Sequence, residues 1–125
     1  MNTAHPIPLQ ITFRNLASSE ALEARVRSQV DKLGTFYPSI HHCHVTIAQL
    51  HRHHAQGNHF HVRLDLRVPG HELIAGREPD QNHAYTDVYV ALRDAFSAMR
   101  RQLEDWVRHQ QGHVKHHEEK PHGHI

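Results

Sequence analysis

A chain of 125 residues has room for one domain and little more. Hydrophobic residues at 38% and charged residues at 22% allow a core and exclude wholesale disorder, while no apolar run approaches the roughly eighteen residues of a membrane span. Lys plus Arg number 14 against 13 Asp plus Glu, so net charge alone gives no sign of a nucleic-acid partner.

Taken in chain order, the first element is a strand. Pro8-Leu9-Gln10-Ile11-Thr12-Phe13-Arg14 alternates at period two, with Leu9, Ile11 and Phe13 inward. Ser18 or Ser19 then offers an N-cap, and Glu20 a carboxylate suited to a helix start. Leu22, Val26, Gln29/Val30 and Leu33 share one face of that helix. Gly34 sits where a left-handed C-terminal cap is wanted, and Tyr37-Pro38 bars continuation. Ile40 to Leu50 is a second strand, with Cys43, Val45 and Ile47 on one side and His42, His44 and Thr46 on the other.

Ala55-Gln56-Gly57-Asn58 reads as a loop. Phe60, Val62, Leu64, Leu66 and Val68 then alternate without a break against His59, His61, Arg63, Asp65 and Arg67, the clearest strand signal in the chain. Pro69-Gly70 is a turn, and His71 to Arg77 a short fourth strand with Leu73 and Ala75 inward. After a polar loop from Glu78 to His83, a long helix opens near Thr86 or Asp87. Its apolar stripe is Val88, Leu92, Ala95, Phe96, Met99, Leu103 and Trp106, and Gly112 is expected to end it. This predicts a folded domain over 1–111 and a His-rich, disordered tail over 112–125. The order β-α-β-β-β-α is an α+β class: a two-layer sandwich in which two helices cover one face of a mixed or antiparallel four-stranded sheet and the other face stays wet.

Three kinds of chemistry compete for this scaffold. Cations at phosphate spacing bind RNA without sequence readout. Arg93, Arg100, Arg101 and Arg108 lie opposite the apolar stripe of the second helix, and Arg63 and Arg67 share the wet sheet face with His59 and His61. Asp94, Glu104 and Asp105 interrupt the helix, so an ordinary solvated surface is the competing reading. The 17 histidines favour metal: residues two apart on a strand face one way, so His42, His44, His59 and His61 form a four-imidazole patch if their strands pair in register. Incidental surface affinity is the blander account, because no second cysteine and no closed-site spacing accompany them. Histidines near their unperturbed pKa of about 6.5 also make the field pH-dependent, by roughly eight charges when half are protonated. Catalysis finds no support. Cys43 has His42 and His44 beside it in sequence, yet strand alternation points them to the opposite face, and Cys43 reads as a core residue. No Gly-rich phosphate loop or His-Glu-x-x-His occurs.

The element order, together with Glu20-Ala21-Leu22, Lys32-Leu33, Phe36-Tyr37, Asp87-Val88-Tyr89-Val90-Ala91-Leu92 and Arg101-Gln102-Leu103, resembles the ribosome hibernation-promoting factor and ribosome-associated inhibitor A family over about Leu9 to Arg108. The resemblance implies a short-form member on a dsRBD-like fold: a non-enzymatic, cytoplasmic protein without cofactor, membrane or small-molecule substrate. It further implies that the protein binds the small ribosomal subunit and its rRNA in the channel for messenger and transfer RNA and silences translation under stress. Glu23, Gln29, Ala98 and Asp105 stand where typical members are basic. Lys32 and Arg101 keep that charge, and Arg25, Arg27, Arg93, Arg100 and Arg108 supply it nearby. The expected RNA contacts are therefore Lys32, Arg93, Arg100 and Arg101, followed by Arg27 and Arg63. The competing function is a His-rich metal-binding or metal-buffering module on the same fold. Oligomeric state is not legible at this level.

Overall fold

The computed structural model describes residues 7–50, 59–77 and 85–123, with side chains as far as residue 111. Its elements are β1 (Leu9–Arg14), α1 (Glu20–Phe36), β2 (His42–Leu50), β3 (His59–Val68), β4 (His71–Ala75) and α2 (Val88–Gly123). The order is the one the sequence predicts. The loops expected at 55–58 and 78–83 lie outside the described residues.

The four strands form one sheet in the order β1-β2-β3-β4. The sheet is mixed, because β1 reaches β2 only through the α1 crossover and so pairs with it in parallel, Leu9 beside Cys43 and Phe13 beside Ile47. The other two pairs are antiparallel, Val45 opposite Leu64 and Leu66 opposite Leu73. Gly70 makes the tight β3–β4 connection at φ 71°, a left-handed conformation that costs glycine nothing.

Period-two alternation sends Cys43, Val45, Ile47, Val62, Leu64, Leu66, Val68, Leu73 and Ala75 to one face, where all are buried. Both helices lie on that face. α1 contributes Leu22, Val26, Val30 and Leu33; α2 contributes Ala91, Leu92, Ala95, Phe96, Met99 and Leu103. The inward residues of β1 are only partly buried, as suits an edge strand. Gln102 ties α2 to the sheet directly, its Nε2 donating to the Ile74 carbonyl at 2.8 Å.

Helix starts follow capping chemistry. The Ser19 hydroxyl accepts from the Leu22 amide at 3.2 Å, with Glu20 and Glu23 in the first turn facing the positive end of the helix dipole. The Asp87 carboxylate accepts from the Tyr89 amide at 2.9 Å and opens α2. Helix ends depart from expectation twice. Gly34 is not a left-handed cap: it sits inside α1, which closes at Phe36 with the Tyr37 amide donating to the Leu33 carbonyl at 2.8 Å. Its lack of a side chain instead admits Ile7, whose Cδ1 would lie 2.8 Å from a Cβ at that position. Nor does Gly112 stop α2, whose backbone stays helical to Gly123. One interior glycine costs a helix about 1 kcal/mol, a local penalty that does not by itself end it.

Candidate nucleic-acid interface

Where α1 and α2 run side by side, their outer flanks leave a groove of about 360 Å³ lined by Gln29, Lys32 and Leu33 from α1 and by Arg93, Phe96, Ser97, Arg100, Arg101 and Glu104 from α2. The spacing explains the line-up. Positions 93, 97, 100, 101 and 104 fall along one stripe of α2, and 29, 32 and 33 along one stripe of α1, because residues three or four apart share a helix face. Leu33 and Phe96 belong to the core and form an apolar floor. Four cations and one carboxylate rim it, so the groove has an excess of three positive charges at neutral pH.

All four of the leading sequence candidates, Lys32, Arg93, Arg100 and Arg101, are thus brought into one place. Their local ties differ. Arg100 lies over the Phe36 ring, its guanidinium carbon 4.4 Å from the centroid, and its Nε donates to Glu104 at 3.1 Å. Arg93 reaches the Asp94 carboxylate at 3.2 Å, and the other oxygen of that carboxylate accepts from the Tyr85 hydroxyl at 3.0 Å. Lys32 and Arg101 are exposed and take no carboxylate partner among the described residues. Near the groove, Arg25 of α1 rests 5.1 Å from the Tyr89 ring of α2, a second cation–aromatic contact spanning the helices.

Arg27 and Arg63 are placed elsewhere. Arg27 donates to the Ile7 carbonyl at 3.1 Å and lies 3.7 Å from Asp31, so it moors the segment that leads into β1. Arg63 is on the uncovered face of the sheet, held to Asp65 by two parallel hydrogen bonds of 2.9 and 3.0 Å. That fork raises the Arg63 pKa above its ordinary value through the hydrogen bond and charge of Asp65.

The histidine patch does not assemble. Strand register sets His42 opposite Arg67, His44 opposite Asp65, His61 opposite Ala48 and His59 opposite Leu50. His44 therefore stands four residues along β2 from the partner of His61, about 13 Å at strand rise. Two of the strand histidines are also engaged locally: His44 Nε2 shares a 2.9 Å hydrogen bond with the Thr12 hydroxyl, and His61 Nε2 donates to the Gly76 carbonyl at 2.8 Å, whereas both ring nitrogens of His59 are buried without a hydrogen-bond partner among the described residues. Among the described residues no group of three or more His, Cys, Asp or Glu is positioned to hold a metal ion. The loop histidines His51, His53 and His54 lie outside those residues, as do the side chains of the tail. Cys43 is fully buried, and burial pushes its thiol up to about 12.

Sequence reasoning missed the Phe36–Arg100 contact and the polar wall formed by Gln29. The i,i+4 spacing of Arg100 and Glu104 announces their ion pair. Nothing local announces that residue 36 meets residue 100, which depends on how the two helices pack.

The fold and groove define a class: a two-layer α+β domain whose helical face carries a basic cleft and whose opposite sheet face is covered by neither helix among the described residues. The family model for sigma 54 modulation protein / S30EA ribosomal protein matches residues 9–111, and the chain belongs to that family of ribosome-associated proteins. Among solved structures it is similar to a ribosomal subunit interface protein from Coxiella burnetii, at TM-score 0.66 and 15% identity, covering 82% of this chain and 99% of that one. It is also similar to the N-terminal domain of Thermus thermophilus Protein Y, at TM-score 0.58 and 15% identity with the same coverages. At such identity these two likenesses establish the shared fold. No individually curated protein matches the chain. Among the described residues no helix is long and apolar enough to cross a membrane.

Proposed function

We propose that this protein is a translation-silencing factor that docks on the small ribosomal subunit, with its interhelical groove against rRNA in the channel for messenger and transfer RNA. The observation that carries the reading is the convergence of Lys32, Arg93, Arg100 and Arg101 on one groove in a member of a ribosome-associated family. Cations carried on two packed helices meet phosphates with no backbone segment left to order, and Arg presents its donors as a planar fork suited to phosphate oxygens. Residues 1–111 are the ribosome-binding unit, and 112–125 its His-rich appendage. The work is done by occupancy in the cytoplasm, with no catalytic group and no cofactor. Arg27 and Arg63 are supporting contacts, since each already holds a partner within the chain.

Co-sedimentation with bacterial ribosomes and separated subunits, at two salt concentrations and with and without chelator, tests this. Pelleting with the small subunit that weakens with salt and ignores chelator is the expected result. Absence of pelleting at low salt overturns the reading.

A further inference from the structure

We infer that the interhelical groove is built to receive one unpaired nucleotide of an RNA, its base stacked on the Arg100 guanidinium and its flanking phosphates on Lys32, Arg93 and Arg101. This rests on the RNA-binding reading above and adds what part of the RNA is recognised. Phosphates along a duplex call for cations on a convex or flat surface, not for a concavity floored by core residues. Here the cations rim a hollow whose floor is Leu33 and Phe96. Its volume of about 360 Å³ lies at the lower end of pockets that hold a small ligand, which suits one base rather than a helix.

Arg100 differs from its neighbours in a way that suits stacking. Phe36 supports one face of its guanidinium at 4.4 Å, and the bond to Glu104 fixes the rotation of the plane. Roughly half of the Arg100 side chain remains exposed (47%), and that side chain lines the groove. An unpaired base stacks on such a plane as it does on an aromatic ring. The Gln29 amide on the opposite wall supplies a donor and an acceptor for a base edge. Lys32 and Arg101, which hold no carboxylate among the described residues, would meet the phosphates on either side. Arg100 is therefore a stacking platform first and a charge second.

The experiment uses the full chain and two RNA hairpins of equal length, one fully paired and one carrying a single unpaired purine, at matched salt. Tighter binding of the bulged hairpin, by about tenfold, is expected from one stacked base. Arg100→Lys keeps the charge and removes the plane. It should bring the preference to within about twofold, any loss of phosphate affinity being common to both hairpins. Equal affinity of the wild-type protein for both hairpins overturns the inference, as does an Arg100→Lys protein that keeps the preference. If neither hairpin binds, the RNA-binding reading itself fails, an outcome distinct from binding without preference.

Discussion

Gly76 approaches the Val62 carbonyl so closely that no side chain fits between them. A Cβ at residue 76 would fall inside contact distance of that oxygen and 3.2 Å from its carbon, and the backbone there holds φ 71°. Both terms oppose substitution, because an L-residue pays for left-handed φ and the obstacle is backbone that cannot rotate away. Gly76→Ala is expected to destabilise the domain by about 2 kcal/mol or more, read from urea midpoints at constant slope. Gly34→Ala is the control. Its Cβ meets only the flexible end of Ile7, and helix propensity rises, so stability should stay within about 1 kcal/mol of wild type.

Neutralising the groove separates charge from fold. The combined Lys32→Gln, Arg93→Gln and Arg101→Gln protein should keep its thermal midpoint and lose ribosome affinity, and the slope of log affinity on log salt should fall by about 2 to 3 units. Arg63→Gln should change that slope far less, because its guanidinium already spends two hydrogen bonds on Asp65. A triple variant with unchanged slope would show that the groove does not face phosphate.

His61 makes stability depend on pH. Desolvation lowers its pKa below the ordinary value, opposed by the Gly76 carbonyl and aided by Arg63. A lowered folded pKa means the unfolded chain binds more protons, so this contribution is fully present above about pH 6.5 and is lost as pH falls through the folded value. His61→Gln retains a donor for Gly76 and cannot titrate. Urea midpoints at pH 7.5 and 5.5 should therefore differ less for His61→Gln than for wild type, and an equal difference would show that His61 does not drive the change.

Cys43 should be inert while the domain is folded. With its thiol pushed up to about 12 and its side chain buried between the sheet and the helices, the nucleophilic thiolate is both rare and inaccessible. Native protein is expected to resist iodoacetamide at pH 8 over hours and to label at one site per chain in denaturant. Rapid native labelling would place Cys43 outside the core.

Much of the fold was legible because alternation and helical spacing are local signals. The inward sets of β2, β3 and α2, the Ser19 cap and the burial of Cys43 all follow from neighbours within four residues. Local pattern leaves a point open, or misleads, where distant chain decides. Gly34 looks like a cap until Ile7 is seen lying against it, and the four strand histidines look like a patch until register slides His44 away from His61. The groove is intermediate. Each helix wheel shows which way its cations point, but only the packing of α1 beside α2 sets Lys32 across from Arg93, Arg100 and Arg101.

The parallel pairing of β1 with β2 has a consequence for that groove. α1 is suspended between these two strands, so the axial alignment of its cations against those of α2 is inherited from the sheet. A one-residue slip of β1 would turn its apolar face outward, which leaves two-residue steps of about 6.6 Å as the smallest change that preserves the core. The sheet thus acts as a vernier for charge: the spacing across the cleft is quantised by strand pairing rather than tuned continuously by the helices.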